Sequence, residues 1–348
     1  MNFEVFPLII GWELTLECNM RCRHCGSTAG AKRPNELTTK EALDLCDQFP
    51  DLLVQEVDIT GGEPLLRKDW TIIAGHLQDL GIPVNILTVN ILTNGLVMDS
   101  EMIAKMKELD IRAVGLSIDG LREVHDRFRN YRGSYEKTLN AMRLMQEAGI
   151  KYNIITTVNK ENLDQLPAMH DVFRDLGVRH WRLQPLIPMG RALQNPGLEL
   201  NDEDMLALGN YIREQAADPD PVKPDIMCSD GLEYVKPGIG GPWRGCPGGI
   251  ISCGIMSDGR VKGCLSLPDE VCEGNIRDRD LWDIWFDPAS FAYTRYFNQE
   301  DAGPLCLGCE KLGDCQGGCS SSSYTGTGIF HNDPVCYFRA EHNQNKFT

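Results

Sequence analysis

Three cysteines near the start of the chain, Cys18, Cys22 and Cys25, constrain it most. Their spacing is C-x3-C-x2-C, and the next cysteine is Cys46, so no fourth thiol lies close by. Three thiolates on one short loop can hold three irons of a 4Fe–4S cluster and leave the fourth iron open. Such clusters are ordinarily closed by four protein ligands, so a shortfall of one points to a position kept for a substrate or cofactor. Two other readings fit the same spacing. A structural zinc site needs four Cys or His ligands, and His24 is the nearby imidazole, set between Cys22 and Cys25 where wrapping one ion is strained. A disulfide is the other. Met1–Leu16 has no basic signal-peptide opening, however, and Cys-x-x-Cys inside a cell points to metal or redox work.

The chain around the triplet alternates between strand and helix patterns. An apolar run over 8–16 precedes Cys18, and Val57-Asp58-Ile59-Thr60 leads into Gly61-Gly62-Glu63-Pro64. Glycines let a backbone approach closely, and proline stiffens the turn. Further strands are predicted to end at Thr93-Asn94-Gly95, at Ala113–Ser117, at Tyr152–Val158 and at Trp181–Pro185, which carries Gln184. Helical patterns separate them over 38–49, 69–80, 99–109, 134–148 and 163–176. This alternation predicts a parallel sheet with right-handed crossovers. Val84–Thr88 is repeated at once as Val89–Thr93. An odd shift inverts the faces of a strand, so one copy fits the sheet, and the copy adjoining Asn94 is the expected one.

With these elements in place, the chain resembles the radical S-adenosylmethionine (SAM) superfamily. The resemblance rests on Cys18-x3-Cys22-x2-Cys25 after a first strand and on Gly61-Gly62-Glu63-Pro64 at the end of the second. It implies a partial (β/α)6 TIM barrel with its site at the C-terminal ends of the strands. It implies SAM chelated to the open iron through its amino and carboxylate groups, and a 5′-deoxyadenosyl radical made by one-electron cleavage. Gly61, Gly62, Glu63 and Pro64 are then expected near the methionine moiety, together with Asn94. Ser117 and Asp119 match the ribose-contacting segment, and Gln184 ends the last strand. Arg129 or Arg132 is expected to pair with the SAM carboxylate, which a guanidinium matches in shape; a solvated loop is the alternative for that arginine run.

A second cysteine signature follows. Cys246-x12-Gly259-x4-Cys264 leads, after a gap, to Cys306-x2-Cys309-x5-Cys315-x3-Cys319 and then Cys336. This resembles the SPASM domain of radical SAM enzymes that mature peptides and proteins. The resemblance implies two auxiliary 4Fe–4S clusters, one on Cys246, Cys253, Cys264 and Cys319, the other on Cys306, Cys309, Cys315 and Cys336. Three clusters in all are expected. Of fourteen cysteines, Cys46, Cys228 and Cys272 are left over. Buried free thiols are the ordinary reading, with Cys272 also considered as a contact to cluster or substrate. The expected organisation is a barrel over 1–195, a bridge over 196–241 with a short helix at 202–216, and a small cysteine-rich domain over 242–348.

The resemblance leaves the substrate open. A ribosomally made precursor peptide, crosslinked, epimerised or excised, is the first expectation. A sulfatase-type maturase making formylglycine is the second, and a small-molecule enzyme the third. Sulfatase maturases carry an aspartate directly after the cysteine matching Cys264; here Leu265 stands there, with Asp269 and Glu270 a few residues on. With seventeen residues before Cys18, leader recognition, where it is used, is expected to fall to a separate small protein or to the SPASM surface. The electron donor is expected to be of flavodoxin or ferredoxin type. The 348-residue chain has a net charge of −16 and no run of eighteen apolar residues. Neither nucleic acid, which demands a basic surface, nor a membrane is expected as a partner, and the cytoplasm is the expected location.

Overall fold

The structure is a computed structural model and describes residues 5–81, 88–229, 232, 235 and 244–344. Strands and helices alternate as β1 (Ile9–Thr15), α1 (Thr39–Cys46), β2 (Glu56–Gly61), α2 (Trp70–Asp79), β3 (Thr88–Thr93), α3 (Ser100–Glu108) and β4 (Ala113–Ser117). They continue as α4 (Arg122–Phe128), α5 (Ser134–Ala148), β5 (Tyr152–Val158), α6 (Leu166–Asp175) and β6 (His180–Pro185). The rest comprises α7 (Asp202–Ala217), β7 (Asp225–Cys228), β8 (Ser252–Ile255), β9 (Arg260–Lys262) and β10 (Gly274–Asn275). Five short helices follow: α8 (Leu281–Trp285), α9 (Ala292–Arg295), α10 (Leu312–Cys315), α11 (Ser320–Thr327) and α12 (Tyr337–Gln344).

The six predicted strands lie side by side and parallel, as a partial barrel requires. The second copy of the tandem repeat supplies β3; of the first copy, Val84–Leu87 lies outside the described residues. One sheet extends beyond those six strands on both sides. β7, from the expected bridge, pairs with β6, and β8 pairs in parallel with β1, with Cys253 opposite Ile10. The hairpin partners β9 and β10 then continue antiparallel. The cysteine-rich segment is therefore stitched to the first strand of the barrel. The arginine run, for which a solvated loop was the alternative reading, begins inside a helix, since Arg127 and Phe128 close α4 and Arg129 caps it.

Alternation along each strand decides what faces the barrel interior. Ile10, Trp12 and Leu14 of β1, and Trp181 and Leu183 of β6, point outward and are fully buried in the core beneath the helices. Each such apolar side chain contributes about 1.5–3 kcal/mol of transfer free energy. Their neighbours Ile9, Gly11 and Glu13, and Arg182 and Gln184, face inward onto a cavity. Helix starts are capped as their sequences suggest: Thr38 and Glu41 form a capping box for α1, and the Asp99 side chain accepts from Met102 N on α3. Among the described residues, no helix is long and apolar enough to cross a membrane.

Candidate active site

The Cys18–Cys25 loop is pinned before any cofactor arrives. Cys18 N donates to Gly30 O at 3.0 Å and Gly30 N to Leu16 O at 3.0 Å, which closes the loop at its base. Met20 N and Ala29 N each lie 3.4 Å from a cysteine sulfur, those of Cys18 and Cys25. Two guanidinium groups brace the loop, one from within it and one from outside. Arg21 donates to Cys18 O and Met20 O, and Arg191 donates to Cys22 O and Ala29 O at 2.8 Å each. Burial pushes the Cys22 thiol up to about 11, against the pull of nearby Arg129, and raises Cys18 as well. Metal binding at this loop therefore releases protons.

The Gly61-Gly62 pair meets this loop from behind. Gly62 N donates to Thr15 O at 2.8 Å and Glu63 N to Glu17 O at 2.7 Å. A Cβ on Gly61 (φ +138°) would collide with Thr15 O, and one on Gly62 with Glu17 O. The glycines are thus required by the loop's own backbone, and both also line the cavity. Glu63 turns away to the end of β3, fully buried, accepting from Thr93 Oγ1 and Asn94 N at 2.8 Å each. Burial raises its carboxyl to about 7, against the pull of those donors and of Arg129. Pro64 begins the 3-10 turn that Glu63 caps. Asn94 donates to Asn19 Oδ1 at 2.8 Å, tying the end of β3 to the cysteine loop.

On the opposite wall Ser117, Thr157, Gln184 and Arg129 line the cavity. Asp119 is fully buried behind them. Its Oδ2 accepts from Arg129 at 2.7 Å and its Oδ1 from Thr157 N at 2.8 Å. Burial opposes ionisation there, but Arg129 and the other donors keep the carboxyl below its ordinary range. Arg129 is buried, not solvated, and close enough to Cys18 and Cys22 to favour their thiolates. Arg132 is exposed and lies outside the cavity lining. His24, considered above only as a zinc ligand, stacks on Phe128 with ring centroids 4.1 Å apart. Its Nδ1 is buried without a partner, and burial holds the imidazole neutral, lowered to about 4.

The cavity, of 680 Å³, continues to the second cysteine signature. Cys246, Cys253, Cys264 and Cys319 all line it, as does Leu265. Cys253 is 2% exposed on β8, whereas Cys272 is exposed, donates to Gly274 O at 3.2 Å and is absent from the lining. Cys253 thus shares the cavity wall with Cys246, Cys264 and Cys319, and Cys272 does not. Cys46 and Cys228 are buried. Three further thiols lie near one another away from this lining: Cys306 feels the charge of Cys309, and Cys336 that of Cys306.

A family model described as the radical SAM superfamily matches residues 12–173, and one described as an iron–sulfur cluster-binding domain (SPASM) matches residues 246–310. The chain is 30% identical to an AdoMet-dependent heme synthase of Methanosarcina barkeri, covering 96% of this chain and 97% of that one. The chain belongs to the radical SAM superfamily. It is also 30% identical to the mycofactocin maturase MftC of Mycolicibacterium smegmatis, over 95% of this chain and 82% of that one. Among solved structures, Streptococcus suis SuiB bound to precursor peptide SuiA superposes with a TM-score of 0.76 at 19% identity, over 95% of this chain and 76% of that one. Native anSMEcpe with bound AdoMet gives 0.75 at 16%, over 97% and 96%. These two likenesses establish the shared fold.

Radical SAM and SPASM segments imply SAM and 4Fe–4S clusters. The residues present fit them. Cys18, Cys22, Cys25, Cys246, Cys253, Cys264 and Cys319 line one cavity, and soft thiolates are the donors that iron–sulfur clusters take. Ser117, Thr157, Gln184 and Arg129 line space that a bound nucleoside-like cofactor would fill. Residue-by-residue motif reading missed Arg191, which is 162 residues from Ala29 in sequence yet holds its carbonyl. It also missed His24 as part of the wall, although its place between two ligand cysteines was a signal.

Proposed function

We propose that this chain holds a SAM-binding 4Fe–4S cluster on Cys18, Cys22 and Cys25 and abstracts a hydrogen atom from a peptide, maturing a ribosomally made precursor by crosslinking, epimerisation or backbone excision. One observation carries the reading: a single cavity runs from the Cys18 loop to Cys246, Cys253, Cys264 and Cys319. A substrate in it would lie between the SAM site and a first auxiliary cluster on those four thiols. We assign a second auxiliary cluster to Cys306, Cys309, Cys315 and Cys336. When bound, the first-named cluster and SAM supply the electron and the 5′-deoxyadenosyl radical that takes an unactivated hydrogen. The protein's own part is to bind, orient and exclude water. Gly61, Gly62 and Asn94 shape the methionine end, with Glu63 and Pro64 behind them fixing the turn. Ser117, Thr157 and Gln184 offer hydroxyl and amide partners to the ribose. Arg129, already held by Asp119, presents its charge toward the carboxylate end. Met20, Leu186 and Met189 supply apolar wall.

The peptide reading is supported by likeness to the MftC maturase and by the fold shared with a peptide-bound enzyme. The names of the heme synthase relatives favour a second reading, in which the substrate is a tetrapyrrole. Formylglycine formation has less support. Leu265 lines the cavity where that chemistry uses an aspartate, and Asp269 is no ready substitute. Arg260 and Arg33 lie 3.0 and 3.3 Å from its Oδ2, and Lys262 3.3 Å from its Oδ1. These cations hold its carboxyl below the ordinary range, which weakens it as a base. The test is anaerobic incubation of the reduced, reconstituted protein with SAM and, in separate arms, precursor peptides encoded near its gene, iron porphyrins and a sulfatase-motif peptide. A mass change in a precursor peptide supports the proposal. A change in the porphyrin or formylglycine arm alone replaces it, and absence of 5′-deoxyadenosine from every arm removes the radical reading itself.

A further inference from the structure

Helix α9 carries a buried guanidinium nitrogen without a partner, Arg295 Nη2, and a buried hydroxyl, Tyr293 Oη, that meets the backbone of Gly263 and has no acceptor for its own proton. Buried polar groups are almost always hydrogen-bonded, and buried charges are almost always paired. Two such unused donors on one short element therefore call for an account. Both lie against the segments that carry Cys246, Cys253 and Cys264. Thr294 Oγ1 donates to Gly248 O and Arg295 Nε to Gly249 O, each at 2.7 Å, so α9 grips the loop between Cys246 and Cys253. Tyr293 Oη sits against Gly263, the residue before Cys264, where a Cβ would collide with it. The Tyr293 ring is fixed by stacking on Phe330 at 4.3 Å, and its carbonyl bonds to His331 Nε2 at 2.6 Å. Arg295 is clamped between the rings of Trp285 and Phe291, 4.7 and 4.6 Å away, with Nη1 on Trp285 O at 2.7 Å. No carboxylate bonds to it directly among the described residues, although Glu273, which accepts from Phe291 N at 2.9 Å, lies close enough to feel its charge. The bond from Nε to Gly249 O sets the guanidinium beside the loop between Cys246 and Cys253.

We propose that Tyr293 and Arg295 are the electrostatic wall of the first auxiliary cluster, a hydroxyl donor and a counter-cation that raise its reduction potential. This rests on the ligand assignment proposed above. A cluster on four thiolates gains one further negative charge when it takes one electron. A fixed cation and an O–H donor stabilise that reduced state more than the oxidised one, and net charge and hydrogen bonds to sulfur are what set such potentials. The two rings and the backbone acceptors hold the guanidinium in place, so little reorganisation accompanies the electron. Tyr293 and Arg295 are thus positioning residues for electron flow, not catalytic ones.

The test is potentiometric titration of the fully reconstituted chain, followed by electron paramagnetic resonance. It compares the parent with Arg295→Gln, Arg295→Lys and Tyr293→Phe. One cluster should fall in potential in Arg295→Gln, by about tenfold in its reduction equilibrium, which is 59 mV for one electron. Arg295→Lys should recover most of the shift, and Tyr293→Phe should give a smaller shift of the same sign in the same cluster. Potentials equal to the parent's in both Arg295→Gln and Tyr293→Phe overturn the proposal, as does a shift that Arg295→Lys does not recover. Iron analysis of Cys246→Ala with Cys264→Ala separates the two levels. Loss of about four irons upholds the ligand assignment whatever the titration gives, and an unchanged iron content removes that assignment and the proposal with it.

Discussion

The buried charges around the cysteine loop form a small closed system. Arg129 faces Asp119 at 2.7 Å and also lies near Cys18 and Cys22. Removing one member of a buried pair strands the other, at about 3–5 kcal/mol, whereas removing both costs less. Asp119→Asn and Arg129→Gln should each lower denaturant stability by that order. The double variant should fall short of their sum, and additive losses in a double-mutant cycle would contradict the pairing. His125 gives a pH signature. Its Nδ1 accepts from Asp119 N at 3.1 Å, and burial lowers the imidazole to about 4. The unfolded chain takes up a proton near the ordinary histidine value, about 6.5, and the folded chain does not. The stabilisation is therefore complete above about 6.5 and is lost as pH falls toward about 4, at roughly 1.4 kcal/mol per unit. His125→Gln should flatten that acid limb of a stability–pH curve. An unchanged slope between about pH 5 and 6.5 would show that another group sets it.

At the scale of elements, what the sequence made legible was local. Strands dense in β-branched residues, such as β5, and the long helix α5 occur at their expected bounds. α6 begins later than its pattern because its first turn, Leu163–Gln165, is a 3-10 turn. α4 was hidden because seven residues with no long apolar stripe carry little periodic signal. β8 was hidden for a different reason. Ser-Cys-Gly-Ile is too short to announce a strand, and its partner β1 lies more than 240 residues earlier. Among site residues, the cysteines and glycines were readable because spacing and backbone geometry demand those types. Arg191 and the orphaned His24 Nδ1 depend on contacts that only the fold creates. The separation of ligand-bearing elements has a measurable consequence. The Cys18 loop follows β1, while the other proposed ligands run from Cys246, just before β8, onward. Replacing Cys18, Cys22 and Cys25 with Ala should leave about eight irons bound in a chain that loads about twelve. 5′-Deoxyadenosine should no longer form, and continued SAM cleavage by that variant would sink the assignment of the loop.

For the molecule as a whole, the decisive feature is that one sheet carries both cysteine signatures. Ile9 to Trp12 of β1 pair with Ser252 to Ile255 of β8, so the wall that ends at Cys18 is hydrogen-bonded to the wall that holds Cys253. The seam is reinforced by charge. Glu13, 3% exposed, accepts from Arg33 at 2.6 Å and from Ser257 Oγ at 2.8 Å, and Arg33 reaches on to Asp269. It is also filled sterically, since a Cβ on Gly254 would come within 2.7 Å of Leu265 N. A hinge along this seam would need to break strand pairing and strand a buried carboxylate at once. On the function proposed above such a joint is useful, because the distance between the SAM site and the proposed first auxiliary cluster must not wander during turnover. The expected outcome is one cooperative unfolding unit. In the Cys18, Cys22 and Cys25→Ala variant, iron–sulfur absorbance reports on the second signature alone, while far-ultraviolet circular dichroism weights the helices of the barrel. Their denaturant midpoints should coincide, the ordinary mark of an all-or-none transition. Loss of cluster absorbance well before the helices melt would mean that the two signatures sit on independent units, and that the pairing of β1 with β8 does not couple them.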